Sequence, residues 1–168
     1  KILFSLNEKK EAHFKEPEIN KILKKAILKK RFNVSRNLDR KIFKKSINII
    51  TIGTPIIRNK IFLKSIFSVI NEIKKKLQND DSIIILRSTV KIGTTRKLEK
   101  KFNKKINFAF CPERTIEGAA LKELSLNPQI IATENPYAKK IVQNFFSIFN
   151  KNTIHVNQFE KAETIKLF

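Results

Sequence analysis

Residues 82–90 read Ser-Ile-Ile-Ile-Leu-Arg-Ser-Thr-Val, four aliphatic residues in a row followed at once by polar ones. A second stretch of this kind, Ile47 to Ile52, leads into Gly53-Thr54-Pro55. Strands that are apolar on both faces are typical of parallel sheets covered by helices on two sides. The two stretches therefore predict buried strands of an α/β fold.

The rest of the chain alternates short apolar runs with longer amphipathic ones, which is the pattern of strands joined by crossover helices. The predicted strands are Ile2–Leu6, Phe32–Val34, Ile47–Ile52, Ser82–Arg87, Ile106–Phe110, Gln129–Ala132 and Thr153–Val156. The predicted helices are Pro17–Lys30, Leu38–Lys44, Lys60–Leu77, Thr95–Phe102, Pro136–Phe149 and Phe159 to the end, with Asn135 as a helix cap. This order predicts a doubly wound parallel sheet.

Composition narrows the class of protein. The 168 residues are 41% hydrophobic, which is enough to fill one core, and no linker is visible before about Asn157. No apolar run reaches the roughly 20 residues that span a bilayer, and the start does not resemble a signal peptide. A single Cys111 and two distant histidines, His13 and His155, predict neither a disulfide nor a zinc site. We expect a soluble, cytoplasmic protein.

The formal charge of +21 raises the question of nucleic acid, because basic surfaces gain affinity by releasing counterions from phosphates. The lysines are spread over nearly every predicted helix, however, and no aromatic residues are interleaved with them as in a stacking platform. Between Lys21 and Arg31 the apolar residues gather on one side of a helical wheel and leave most basic ones on the other. The pattern favours a solvated face over a specific nucleic-acid site. A basic α/β module that binds nucleic acid or acidic partners stays open as an alternative.

In open α/β sheets, ligands bind beyond the carboxyl ends of the strands. Three segments occupy such positions: Gly53-Thr54-Pro55, Ser88-Thr89-Val90 running to Gly93-Thr94-Thr95, and Cys111-Pro112-Glu113-Arg114-Thr115-Ile116-Glu117-Gly118. All three glycines of the chain fall in these segments, and glycine permits close approach of the backbone to a ligand. Together the segments predict a ligand site at this edge of the sheet.

The order of these motifs resembles the nucleotide-sugar 6-dehydrogenase family over essentially the whole chain. The closing Ala162-Glu163-Thr164-Ile165-Lys166-Leu167 is similar to the start of that family's long central helix. The Cys-Pro-Glu-Arg form of the third motif resembles the branch that acts on UDP-N-acetylhexosamines such as UDP-N-acetylmannosamine.

The resemblance implies an enzyme that oxidises the C6 hydroxyl of a UDP-sugar to a carboxylate, in two successive hydride transfers to NAD. It also implies a homodimer formed through the central helix. Residues 1–157 would then be part of an NAD-binding Rossmann domain, and residues 158–168 the start of the dimerisation helix. The cofactor supplies the hydride chemistry, and the protein supplies orientation and charge stabilisation.

The resemblance also implies roles for individual residues. Thr54 and Thr89 would lie against the dinucleotide, with Thr89 also near the catalytic water. Glu113 and Glu117 would border the nicotinamide and the sugar C6, with Glu113 the better candidate for acid/base assistance.

The residues between these two acids, Arg114, Thr115 and Ile116, would contact the substrate. Lys166 would also contact the substrate and present its ammonium to the oxyanion that forms during the reaction. Cys111 is not expected to be the nucleophile, which belongs to a later segment in this family. A small, mostly buried side chain is its expected role.

The sequence departs from the family at its beginning. A strand with a Gly-x-Gly-x-x-Gly turn normally opens the domain, and none is present in the printed residues, so we expect an incomplete sheet. Ile2–Leu6 matches the second strand, with Ser5 where an acid usually binds the adenosine ribose and Lys10 where a basic residue accompanies that acid. We expect the 168 residues alone to bind NAD poorly and to show no turnover; clear NAD reduction would contradict this. An inactive gene remnant stays open as a further alternative.

Overall fold

The computed structural model describes residues 6, 12, 15–37, 45–76, 82–102 and 106–167. The chain forms two compact units. The first unit comprises Lys1–Leu38 and Thr115–Leu126, and the second comprises Asp39–Arg114 and Asn127–Phe168.

The second unit contains the sheet and most of the helices. Its strands are β1 Ile47–Ile50, β2 Ile56–Ile57, β3 Lys60–Ile61, β4 Ile83–Leu86, β5 Asn107–Phe110, β6 Gln129–Ala132 and β7 Thr153–Val156. Its helices are α2 Lys64–Lys76, α3 Thr94–Lys101, α5 Pro136–Ser147 and α6 Phe159–Leu167. The first unit contains α1 Ile19–Leu28 and α4 Ala120–Leu126. Five predicted strands and five predicted helices are therefore confirmed, with ends that shift by at most a few residues.

The main sheet has five strands in the order β1-β4-β5-β6-β7. The pairs β1–β4 and β4–β5 are parallel, and each strand aligns residue by residue with its neighbour, as in Ile85 opposite Ala109. All four residues of β4 are buried, as predicted for a central strand with helices on both faces. The α/β fold with a mostly parallel sheet is therefore confirmed.

One junction of the sheet is antiparallel, which corrects the prediction of a wholly parallel sheet. Phe110 at the end of β5 pairs with Ala132 at the end of β6, whereas β6 and β7 are again parallel. A parallel neighbour requires a connection that returns to the edge where the strand began. The connection between Phe110 and Gln129 does not return in this way, since β6 runs antiparallel to β5. β6 consequently enters the sheet from the carboxyl end of β5.

Helices cover both faces of this sheet. α5 covers one face, where apolar side chains of β4, β5, β6 and α5 form a single core cluster. Its buried members are Ile83, Ile85, Ala109, Cys111, Ile131, Ala138, Val142 and Phe146. On the other face Phe108 of β5 contacts Phe102 at the end of α3, with ring centroids 5.8 Å apart. Adjacent strand residues point to opposite faces, so α3 and α5 lie on opposite sides, as a doubly wound fold requires.

Local chemistry explains where two elements begin. The Asn135 side chain accepts a hydrogen bond of 3.1 Å from the Ala138 amide, which confirms the predicted cap of α5. The helix predicted from Lys60 begins instead at Lys64, because Lys60–Ile61 pairs with Ile56–Ile57 in a hairpin. Both residues of its turn, Arg58 and Asn59, have positive φ, as a two-residue hairpin turn demands.

In the first unit, one carboxylate organises the start of α4. Glu16 accepts hydrogen bonds from the amides of Gly118 and Leu121, at 2.8 and 3.1 Å. The predicted strand Phe32–Val34 is wrong, because these residues are not in a strand; a short run needs a partner strand to be stable. The predictions for Ile2–Ser5 and for Leu38–Lys44 lie outside the described residues.

The last helix of the second unit is anchored by a buried carboxylate. Glu163 of α6 is fully buried and accepts hydrogen bonds from the Gly93 amide at 2.6 Å and from the Thr95 amide and hydroxyl at 2.8 and 2.7 Å. These amides belong to the first turn of α3, where unpaired N–H groups and the helix dipole favour a negative charge. α6 is thereby fixed to the start of α3.

A second charged contact links the same two helices. The Arg96 guanidinium of α3 donates to Glu160 of α6, to Glu134 after β6 and to Glu99. The hydrogen bond from Arg96 lowers the pKa of Glu160, and Glu134 and Glu160 together raise the pKa of Arg96. The guanidinium also lies 5.0 Å from the ring centre of Phe159. The start of α6 is therefore held by charge as well as by packing.

Among the described residues, no helix is both long and apolar enough to cross a membrane. The cytoplasmic location expected from the sequence stays a prediction.

Replacing Glu163 with Gln tests the anchor of α6. An amide keeps the size of the side chain but loses the charge, and its NH2 group would face the donor amides of α3. We expect the free energy of unfolding to fall by about 1–3 kcal/mol. Urea denaturation at pH 7 measures it, with the exposed Glu72→Gln on α2 as the matched control. Equal stability of the two variants would show that Glu163 does not anchor the helix.

Candidate active site at the carboxyl ends of β1, β4 and β5

Two of the predicted cofactor-binding residues meet at the ends of neighbouring strands. β1 and β4 are parallel, so the segments after them emerge at the same edge. There the Thr54 hydroxyl donates a hydrogen bond of 2.6 Å to the Thr89 carbonyl. A Cβ atom added at Gly53 would meet nothing within 4 Å, so this part of the edge is open. The structure thus joins two motifs that lie 35 residues apart.

Glu113 follows β5 at the same edge and is held through both oxygens of its carboxylate. One oxygen accepts from the Arg114 amide at 2.9 Å, and the other accepts from the Arg87 guanidinium, which directly follows β4. Arg87 is buried, whereas the Glu113 side chain keeps 42% of its surface exposed. The carboxylate is therefore fixed on its inner side and accessible on its outer side.

Lys166 of α6 reaches the same residue. Its ammonium donates a hydrogen bond to the Glu113 carbonyl oxygen, across a separation of 53 residues. The anchoring of α6 by Glu163, one turn earlier, places Lys166 there. The structure thus brings together two residues predicted to be catalytic.

The other predicted substrate-binding residues are placed less directly. The Arg114 side chain donates a hydrogen bond of 2.6 Å to the Pro128 carbonyl within the second unit. Thr115, Ile116 and Glu117 belong to the first unit. In that unit the Ile116 amide donates to Glu123 at 2.8 Å and the Ile116 side chain is exposed. Their part in the site stays a prediction. Ser5 and Lys10 lie outside the described residues.

One segment singled out as a ligand position has a different role. The amides of Gly93 and Thr95 are already occupied by the Glu163 carboxylate, and the Thr94 hydroxyl donates to the Lys91 carbonyl. This corrects the expectation for Gly93-Thr94-Thr95, since the start of α3 binds a carboxylate of the chain itself. Gly93 has a φ of 85°, a conformation that side chains other than glycine rarely adopt.

Cys111 is fully buried in the core between the sheet and α5. Burial raises the pKa of its thiol to about 12, and the nearby charge of Arg87 opposes only part of this rise. A neutral buried thiol is a poor nucleophile. The expectation of a small, buried side chain at this position is confirmed.

Arg87 is the residue of the site that sequence reasoning missed. Side chains alternate along a strand, so Ile83 and Ile85 place Arg87 on the face covered by α5. By the same alternation Cys111 and Glu113, which follow β5, lie on this face too, and Glu113 is next to Arg87. This alternation, continued from Ile85 to Arg87 and from Cys111 to Glu113, was the signal that could have paired Arg87 with Glu113.

The candidate site brings charged and polar groups together at one edge of the sheet. Among the described residues, no group of three or more His, Cys, Asp or Glu side chains is arranged to hold a metal ion. What the edge offers is an oriented carboxylate, an ammonium and two threonines. Such groups can stabilise charge and transfer protons in a polar reaction.

Known proteins have sequences related to this chain. A UDP-N-acetyl-D-mannosamine dehydrogenase of Methanococcus maripaludis is 31% identical over 96% of this chain. A UDP-glucose 6-dehydrogenase of Campylobacter jejuni is 34% identical over 62% of it. The chain spans 40% of the length of the first relative and 27% of the second.

The fold matches as well. The UDP-D-ManNAc dehydrogenase structure from Pyrococcus horikoshii superposes with a TM-score of 0.87 at 24% identity, covering 99% of this chain and 41% of that one. The model of the UDP-glucose/GDP-mannose dehydrogenase family, NAD binding domain, matches residues 4–150. With this match to the NAD-binding domain over residues 4–150, the chain belongs to the UDP-glucose/GDP-mannose dehydrogenase family.

Proposed function

We propose that the chain is part of an NAD-dependent dehydrogenase that oxidises the C6 hydroxyl of a UDP-sugar to a carboxylate. The observation that carries the proposal is the contact between Lys166 and Glu113. Residues from two separate motifs meet there, beside strand ends that carry the two threonines. The charge and hydrogen-bonding groups that this chemistry needs are thus supplied by one edge of the second unit.

The proposed substrate is a UDP-N-acetylhexosamine such as UDP-N-acetylmannosamine. Support comes from the relatives, because two proteins that match over 96% of this chain are named UDP-N-acetyl-D-mannosamine dehydrogenases. A UDP-glucose dehydrogenase is also related, over a shorter part of the chain. A comparison of the two sugars therefore belongs in the test.

The residues at the strand ends fit a dinucleotide. The open space at Gly53 and the hydrogen-bonded Thr54 and Thr89 leave a surface of small, polar groups at the carboxyl ends of β1 and β4. Ligands of open α/β sheets bind at such an edge. Thr54 and Thr89 would hold NAD, which when bound supplies an acceptor for hydride.

The other residues of the candidate site would act on the substrate. Lys166 would place a positive charge next to the oxygen that becomes negative, where a preorganised cation is most effective. Glu113 would take or give a proton at the reacting end of the sugar, because its carboxylate is oriented and still accessible. Thr89 would hold the water that the second oxidation consumes.

We also propose that the complete protein is a homodimer joined through the helix that α6 begins. Ile165 and Leu167 on α6 are 44% and 39% exposed, although both are large and apolar. The proposal follows from the resemblance of this helix to the central helix of the family, and these two exposed positions are where it can be tested.

The polypeptide translated from the complete reading frame around these residues tests the function. We expect it to reduce NAD with UDP-N-acetylmannosamine, with two NADH formed for each sugar oxidised, followed by absorbance at 340 nm. Lys166→Met should lower kcat by about 10²–10³-fold, the usual cost of losing a charge at a developing oxyanion. Lys161→Met, on an exposed position of the same helix, is the matched control and should keep full activity.

Several outcomes would count against this function. A folded polypeptide that reduces NAD with neither UDP-N-acetylmannosamine nor UDP-glucose is not the proposed enzyme. Equal activity of the Lys166 and Lys161 variants would remove Lys166 from the chemistry. Tight nucleic-acid binding that persists at physiological salt in a filter assay would favour the basic-module alternative.

Light scattering after size-exclusion chromatography tests the dimer. We expect the complete polypeptide to have twice the mass of one chain, and Ile165→Glu with Leu167→Glu to shift it toward the monomer, because buried carboxylates oppose association. Ile148→Glu with Phe149→Glu, at exposed apolar positions after α5, is the control. A wild-type monomer at micromolar concentration would refute the proposed assembly.

The reactivity of Cys111 tests its exclusion as nucleophile. With a pKa near 12 the thiol is neutral at pH 8, and thiolate forms only as the pH approaches 12. We expect native protein to react with a thiol reagent about a thousandfold more slowly than protein unfolded in urea. In the 168-residue chain Cys111 is the single thiol, so the released chromophore reports it alone. Fast, stoichiometric labelling of the folded chain at pH 8 would contradict this.

A further inference from the structure

Arg87 is a buried cation that the fold does not fully satisfy. Only 7% of its surface is exposed, and a guanidinium stays charged at every ordinary pH. Its Nη1 atom is buried and has no hydrogen-bond partner among the described residues, and no other described side-chain nitrogen or oxygen is in this position. Burial of an incompletely paired ion is costly. Stability of the fold alone therefore does not explain an arginine here.

The Arg87 side chain contacts Glu113 and Phe146. Its Nη2 atom donates to one oxygen, Oε2, of the Glu113 carboxylate. Its guanidinium lies 5.1 Å from the ring centre of Phe146, whose position on α5 is fixed within the core. A planar group stacked on a fixed ring has little freedom to move. Arg87 is thus a rigid donor directed at one carboxylate.

Glu113 has further contacts beside the ion pair. The Arg114 amide donates to the other carboxylate oxygen, and the Lys166 ammonium donates to the carbonyl oxygen. The first contact is made by the adjacent residue, and the second does not touch the carboxylate. The ion pair with Arg87 connects the half-exposed carboxylate to a buried side chain that follows another strand.

We propose that Arg87 is a positioning residue, which holds the Glu113 carboxylate in the orientation used by the site. Its importance for catalysis rests on the proposed function, whereas the coupling between the two side chains does not. Productive geometry in an active site depends on such supporting residues, because a small misplacement of a reacting group costs much of the rate.

The variant Arg87→Met distinguishes a positioning role of Arg87 from a purely structural one. A methionine has a similar length, is apolar and packs well against an aromatic ring. Removing one partner of an ion pair is costly when the other charge stays buried, but the Glu113 side chain keeps 42% of its surface exposed, so Arg87→Met should unfold close to the wild-type temperature. The Glu113 side chain should nevertheless lose its order. If Arg87 served only the stability of the fold, its replacement would lower the unfolding temperature and leave the Glu113 side chain ordered.

Nuclear magnetic resonance relaxation of the Glu113 side-chain methylene carbons, assigned with Glu113→Gln, measures this order in the 168-residue chain. We expect a rigid side chain in the wild type, an order parameter below about 0.6 in Arg87→Met, and partial recovery in Arg87→Lys. Arg114→Met is the matched control, since the Arg114 side chain bonds to Pro128 and only its amide contacts Glu113. The control should leave Glu113 ordered.

Each other outcome overturns the proposal. An ordered Glu113 in Arg87→Met would show that the ion pair does not position it. A large fall in the unfolding temperature, or failure of that variant to fold, would make Arg87 a structural residue. In the complete polypeptide, kcat should fall in Arg87→Met but fall no further when Glu113→Gln is already present; additive losses would count against the proposal. If no NAD reduction is found at all, the proposed function fails while the order measurement still decides the role of Arg87.

Discussion

A carboxylate buried at the start of α3 determines whether the candidate site exists. Glu163 accepts three hydrogen bonds there, two of them from backbone amides that a helix start leaves without partners. The bonds fix α6 against the second unit, and only an α6 in this position brings Lys166 to Glu113. The site therefore depends on a contact that does not itself touch the proposed substrate. The charge of Glu163 is used for assembly, and that of Lys166, one turn later, is available for the proposed chemistry.

The sequence was sufficient where structure depends on neighbouring residues. The apolar runs at Ile47–Ile50 and Ile83–Leu86 predicted β1 and β4, because a strand that is apolar on both faces has few alternatives. The Asn135-Pro136 pair predicted the start of α5 for an equally local reason. The hairpin at Ile56–Ile61 was missed because its turn, Arg58-Asn59, contains no glycine. Arg58 and Asn59 adopt positive φ values, which their residue types do not predict as clearly as glycine would.

The site could be predicted as a set of motifs but not as a set of contacts. The strand-end rule placed Thr54, Thr89 and Glu113 at one edge, which the structure confirms. The role of Glu163 depends on partners about 70 residues away, and no local pattern reports them. Arg87 was passed over because a basic residue after a strand usually faces solvent. Its burial becomes evident only when Phe146 and Glu113 are placed around it.

The antiparallel junction between β5 and β6 has a consequence for how the chain opens. The two strands share a single bridging pair, Phe110 and Ala132, supported by the Thr133 hydroxyl on the Phe108 carbonyl. The helices α5 and α6 pack against both β5 and β6, and this packing holds the two strands together where few backbone hydrogen bonds join them. Apolar packing weakens on cooling, whereas a hydrogen-bonded ladder is less affected. On cooling, amide hydrogen exchange should therefore accelerate first at the junction of β5 and β6, with β6, α5 and β7 separating as one cooperative segment.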